Sequence, residues 1–237
     1  MLFAFAASPL AQSQTAVTFA NPNLEAAVRA RLEMPTGDIT ETDMASMGFL
    51  SAENLGIDNL DGIQAATNLT VLKLAGNQIT DIGPLAALRQ LDFLDLSDNQ
   101  ISDISPVSAL TLLTFLYLSG NPIAGLAPLT PLAILTDLDL SDTGISDIGG
   151  LANLTSLEYL YMSDNPIAGI GPLASLSALT FLDLARNEIS DTGPLASLTS
   201  LTELRLNENR IADIGGLATL VSLTELDLDN NKISSIQ

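Results

Sequence analysis

The side chains in this sequence that could do chemistry are almost all carboxylates. Asp137, Asp139, Asp183 and Glu203 fall in short alternating segments. Two such acids about 5–9.5 Å apart would serve as acid and base in glycoside hydrolysis. Neighbouring strands give separations of that size freely, so the spacing is unspecific. A second set, Asp81, Asp103, Asp147, Asp191 and Asp213, recurs in step, interrupted by Gly125, Gly169 and Ser235. Carboxylate oxygens suit a hard cation such as calcium, but neither the EF-hand nor the nonapeptide calcium pattern is present. The other reading is a turn in which each carboxylate accepts from nearby backbone N–H groups. The chain contains no His and no Cys, which removes imidazole- and thiolate-based catalysis, structural zinc, haem and iron–sulfur ligation. The expectation is a non-catalytic chain with no metal and no cofactor.

Charge narrows the classes further. In 237 residues, 28 acids face 8 bases, a formal charge of −20. Nucleic-acid affinity rests on Lys and Arg neutralising phosphates, so no nucleic-acid partner is expected, and an anionic membrane surface is disfavoured on the same ground. The composition is 47% apolar, yet no uninterrupted apolar run reaches the roughly 18 residues of a membrane-spanning helix. The apolar stretch from Met1 to Ala11, followed by QSQT, is similar to the end of a secretory signal peptide lacking its basic start. Residues 1–16 are therefore expected to lie outside the fold, and the protein to be secreted or exposed on the cell envelope. The Asn-x-Thr triplets at Asn68 and Asn153 fit glycosylation syntax but recur as part of the repeat described next.

What must position these side chains is an internal repeat. Asn77, Asn99, Asn121, Asn165, Asn187, Asn209 and Asn231 stand on one 22-residue ruler, with Thr143 in the remaining slot. Around each runs LxxLxLxxNxIxxI, in full LTVLKLAGNQITDI from Leu69 and LTELRLNENRIADI from Leu201. A degenerate copy lies upstream, where Leu50, Ile57, Leu60 and Ile63 keep the apolar positions and Leu55 replaces the Asn. Within each copy the xLxLx segment alternates with period two, sending Leu72 and Leu74 inward and Val71 and Lys73 outward. Ile79, Ile82, Leu85 and Leu88 return along the other side, and Pro84, Pro106, Pro128, Pro172 and Pro194 suit short 3₁₀ turns. One coil cannot bury its own apolar side, whereas stacked coils form a continuous core. Nine parallel strands about 4.8 Å apart make a sheet roughly 40 Å long. The repeated Asn is expected to satisfy backbone groups of adjacent turns, each costing about 1–3 kcal/mol if left unmet. Thr143 cannot supply all those bonds, so loosening is expected there.

Upstream, Asn21-Pro22 reads as a helix start, followed by Leu24, Ala27, Val28 and Leu32 at helical spacing and by Gly37 as a stop. Thr40 and Asp43 could cap a second short helix. The divisions are thus a leader at 1–16, a helical cap at 17–48 and a solenoid at 49–237 without a C-terminal cap. Leu223, Leu226, Leu228, Ile233 and Ile236 are expected to face solvent there, the chain otherwise being a monomer.

The 22-residue phrase with SDISP or TDIGPL, together with the upstream block from Phe19 to Thr70, resembles the bacterial leucine-rich-repeat proteins of the internalin type. The resemblance covers the chain from about residue 18 onward and implies an α/β leucine-rich-repeat horseshoe: a parallel sheet on the concave side, 3₁₀ or irregular turns on the convex side, and a small helical cap. It also implies binding of a protein in the concavity.

The outward positions of the strands would form that surface. They carry Phe93 and Asp95, Phe115 and Tyr117, Asp137 and Asp139, Tyr159 and Tyr161, Phe181 and Asp183, and Arg205 beside Glu203. Six of the ten aromatic residues fall there, all three Tyr included. Exposed rings of this kind mark recognition surfaces, although they also stabilise a sheet by packing on one another. The acids favour a protein or peptide partner with a basic rim. Carbohydrate binding by the same face and a spacer that binds nothing are the alternatives.

Overall fold

The computed structural model describes residues 15–234. The apolar stretch 1–11 and Ile236 lie outside that range. Nine three-residue strands, β1 (Phe49–Ser51), β2 (Val71–Lys73), β3 (Phe93–Asp95), β4 (Phe115–Tyr117), β5 (Asp137–Asp139), β6 (Tyr159–Tyr161), β7 (Phe181–Asp183), β8 (Glu203–Arg205) and β9 (Glu225–Asp227), pair in sequence order as one parallel sheet. The register is constant, with Leu72, Leu94, Leu116, Leu138, Leu160, Leu182 and Leu204 in one buried column. Each chain return passes through a 3₁₀ turn such as Gly83–Ala87 or Ser105–Ala109, where Pro at the second position suits a turn that needs no N–H there. The architecture is a leucine-rich-repeat horseshoe.

Two short helices cover the first coil. α1 (Pro22–Leu32) is capped by Asn21, whose side chain accepts from the N–H groups of Asn23 and Leu24, and it buries Leu24 and Val28. It stops at Glu33, which takes a left-handed φ of 57°, four residues before the expected Gly37. The local cause is the pair of bonds from the terminal N–H groups back to the Ala30 and Arg29 carbonyls. α2 (Glu41–Ala45) carries a reciprocal Thr40–Asp43 capping box. Thr15 and Ala16, expected to precede the fold, join it. Ala16 bridges Thr40, and the Thr15 carbonyl accepts from the Glu41 N–H at 3.2 Å.

The Asn column ties coil to coil. The Asn99 amide donates to the Leu96 carbonyl of its own coil and the Leu74 carbonyl of the preceding one, both at 3.0 Å, and its oxygen accepts from the Ile79 N–H at 3.0 Å. The pattern recurs at the other ladder asparagines, except that the Asn165 oxygen accepts from the Thr143 N–H and not from Ile145. Reaching it requires a sharp bend at the preceding residue, which has positive φ whether it is Gly76, Asp98, Gly120, Arg186 or Glu208. The second Asp set closes turns: Asp81, Asp103, Asp147, Asp191 and Asp213 each accept from the N–H two residues on, at 2.7–2.9 Å.

At Thr143 the column thins. Its hydroxyl donates to the Leu140 carbonyl at 2.8 Å but is too short to reach the coil before, and the Ile123 N–H turns to the Asn121 carbonyl at 2.8 Å instead. The coils on either side have Pro122 and Pro166 where Gln78, Gln100, Glu188, Arg210 and Lys232 donate to the preceding coil. A cleft of about 450 Å³ opens here between Ile123–Ala127 and Gly144–Gly150. At the far end Leu226 is 43% exposed, while Leu223, Leu228 and Ile233 are only half-buried.

Candidate functional site

The concave face follows from the strand register. Because successive side chains point to opposite sides of a strand, the residues flanking each buried Leu stand outward in two columns. The first runs Val71, Phe93, Phe115, Asp137, Tyr159, Phe181; the second runs Lys73, Asp95, Tyr117, Asp139, Tyr161, Asp183, Arg205. Every expected site residue therefore lies on one face, but the rings form two groups.

In the first group Phe93 packs on Phe115 with centroids 5.8 Å apart and meets Tyr117 edge-on at 5.4 Å. In the second, Phe181 contacts Tyr161 at 4.7 Å and Tyr159 at 6.4 Å. β5 separates them with Asp137 and Asp139. Cross-strand packing of this kind stabilises the sheet as well as shaping a surface. Tyr159 remains 39% exposed, whereas Phe181 is only 9% exposed. The broad ring surface expected at Phe181 is thus absent: Tyr161 covers one side and the Arg205 guanidinium the other, its carbon 5.2 Å from the ring centre. Asp183 is buried beside it, with Arg205 at 3.7 Å. Arg205 also pairs with Glu203 at 2.5 Å. At the opposite end the Lys73 ammonium lies 5.4 Å from the Phe93 centroid.

The second column alternates. Asp95, Asp139, Asp183 and Asp227 occupy every other strand, 44 residues apart; Tyr117, Tyr161 and Arg205 fill the strands between, and Lys73 stands on the strand before the first. Each of these acids has a structural duty not foreseen above. One oxygen accepts from the N–H two residues later, at 3.0 Å from Ser97 and 2.9 Å from Ser141, Ala185 and Asp229. The signal was present in the phrase LDL, which recurs at 44-residue intervals, with LKL before its first copy and LYL, LYM and LRL between the copies.

Electrostatics follow the same layout. Burial raises the Tyr117 and Tyr161 hydroxyl pKa values above the usual phenol range, and the Asp137 charge adds to the effect on both. Burial also raises the Asp183 carboxyl above its ordinary value, against the opposing pull of the Ala185 N–H and Arg205. No group of three or more acids among the described residues is placed to hold a metal ion.

A family described as leucine-rich repeats in two copies matches residues 67–108, 89–132, 135–175, 155–197, 177–218 and 199–237. An internalin of Listeria monocytogenes, InlF, is 33% identical with a TM-score of 0.80, over 92% of this chain and 72% of that one. Internalin C2 of the same bacterium is 35% identical with a TM-score of 0.73, over 96% of this chain and 94% of that one. This chain is an internalin-type leucine-rich-repeat protein. A leucine-rich-repeat protein of Leptospira interrogans, 22% identical with a TM-score of 0.61 over 73% of this chain and 58% of that one, shares the fold. Internalin-like solenoids are in general protein-binding modules rather than enzymes, and internalins are surface or secreted bacterial proteins. Among the described residues of this internalin-type chain, no helix is long and apolar enough to cross a membrane.

Proposed function

We propose that this protein is a secreted or envelope-exposed, non-catalytic recognition module that binds a protein or peptide in its concavity. The observation that carries the reading is the pair of ring groups, Phe93–Phe115–Tyr117 and Tyr159–Tyr161–Phe181, in register on one face and divided by Asp137 and Asp139. Aromatic anchors next to carboxylates favour a partner that brings apolar and basic side chains together. The formal charge of −20 draws such a partner over distance and repels acidic ones.

The test is selection of random peptides on the immobilised protein, with Tyr159→Ala/Tyr161→Ala as the counter-target. Retention by the parent and at least tenfold weaker retention by the variant is the expected result. The variant loses two ring contacts, so its stability should fall by no more than about 1–3 kcal/mol. Equal retention by both proteins would assign the rings to sheet packing alone. Glycans bound in place of peptides would make the face a carbohydrate-binding one.

A further inference from the structure

Resting on the reading of the concave face as a protein-recognition surface, we propose that the recess between Tyr117 and Tyr161, floored by Asp139, seats one arginine side chain of the partner. The recess has a volume of about 240 Å³ and is lined by Ser97, Tyr117, Asp139 and Tyr161. Its walls come from β4 and β6 and its floor from β5, with Tyr117, Asp139 and Tyr161 in direct register. Two strand spacings put the tyrosine backbones about 9.5 Å apart. A flat group stacked between two rings needs about 7–8 Å, twice an ordinary carbon contact. Strands at that separation leave room for one planar layer between their side chains.

The same face shows twice what it does with cations. Lys73 lies over Phe93 and is paired in register with Asp95. Arg205 lies over Phe181 and 3.7 Å from Asp183. Each of those acids neighbours a cation of the chain itself in the alternating column. Asp139 neighbours only Tyr117 and Tyr161, and among the described residues no Lys or Arg comes within ion-pair distance of it or of Asp137. The ring-and-carboxylate setting that Arg205 fills at the β7–β8 end is thus repeated at β4–β6 without an internal cation.

The chemistry selects arginine. A guanidinium stacks its plane on ring faces while its edge donates to a carboxylate, whereas an ammonium is a compact, strongly hydrated point charge. An apolar side chain would strip water from Asp139 and return nothing to the carboxylate. The Ser141 N–H, 2.9 Å from one Asp139 oxygen, fixes the carboxylate in place before any ligand arrives. Both phenols stay neutral in ordinary buffers because burial and the nearby acids hold their pKa values up.

The probe is N-acetyl-arginine amide, with N-acetyl-citrulline amide as the neutral isostere, titrated into the full chain. The readout is the ring-proton resonances of Tyr117 and Tyr161, assigned with Tyr117→Phe and Tyr161→Phe. Shifts that saturate at millimolar arginine probe, are absent with citrulline, and weaken about tenfold in Asp139→Asn are expected. Asp139→Asn keeps an oxygen for the Ser141 N–H, so an unchanged thermal melt serves as its folding control. No shift, equal shifts from both probes, or a shift undiminished in folded Asp139→Asn overturns the proposal. Selected peptides that need the Tyr159 region but tolerate arginine-to-citrulline exchange would remove the arginine seat and keep the recognition reading. Arginine-probe binding with no retained peptide would keep the seat and remove that reading.

Discussion

The Thr143 hydroxyl stands 3.1 Å from the Asn165 side-chain oxygen, and the Thr143 backbone N–H donates to that same oxygen at 3.1 Å. The following coil thus holds Thr143 from one side, while Thr143 offers nothing to the Leu118 carbonyl or the Ile123 N–H on the other. Thr143→Asn supplies a donor for the Leu118 carbonyl and an acceptor that can take the Ile123 N–H back from the Asn121 carbonyl. The one bond gained outright predicts a stability gain of about 0.5–1.5 kcal/mol in urea unfolding. A neutral or negative result would show that Pro122, rather than the missing amide, sets the spacing of these coils.

Leu140 is fully buried beneath β5. Leu140→Ala leaves a cavity that neighbouring coils, locked in register, cannot close, and should cost about 2–5 kcal/mol. Chemical denaturation measures this, and a neutral result would contradict its inward direction.

Gly150 lets two coils approach at the backbone: a Cβ there would overlap the Leu126 carbonyl. Gly150→Ala should destabilise by about 1–3 kcal/mol, since the obstacle is main chain and has no rotamer to change. Gly125→Ala is the control, because nothing lies within 4 Å of a Cβ at that position. Matching melting temperatures for the two variants would refute the close approach.

Asp183 makes the pH dependence informative. Its carboxyl is raised in the folded chain, first by burial, so the folded state holds that proton more tightly than the unfolded state. Its ionisation consequently lowers stability as pH rises through the interval between the unfolded and folded values, and acidification restores it. Asp183→Asn keeps an acceptor for the Ala185 N–H, and Arg205 keeps Glu203. The variant should melt higher than the parent at neutral pH, and the difference should close as pH falls towards about 4. A lower melting temperature at neutral pH would mean that attraction to Arg205 outweighs burial.

The 22-residue ruler makes the coil, the register and the buried Leu column legible, because a constant repeat length leaves each position one environment. Asn21, Thr40 and Asp43 mark the cap for the same local reason: side-chain capping is decided within three residues. What escapes such reading depends on neighbours one coil away. Phe181 and Tyr159 look equivalent in sequence, yet the tilt of Tyr161 and the reach of Arg205 bury the first and leave the second open. Arg186 and Glu208 take left-handed backbone although neither residue type favours it, since the inter-coil bonds of Asn187 and Asn209 impose the bend. The turn-closing oxygens of Asp95 and Asp139 hide behind a more conspicuous placement among aromatic rings.

The alternation in the outer column sets the step by which this solenoid can change length. A core whose central Leu column repeats in every coil can close up over the loss of one turn. The outer face does not: removing the Tyr117 turn sets Asp95 against Asp139, and removing the Asp139 turn closes Tyr117 onto Tyr161. Adjacent like charges on a sheet face are unfavourable. Growth or shrinkage that preserves this alternation therefore proceeds by doublets of 44 residues, twice the period that packing alone requires.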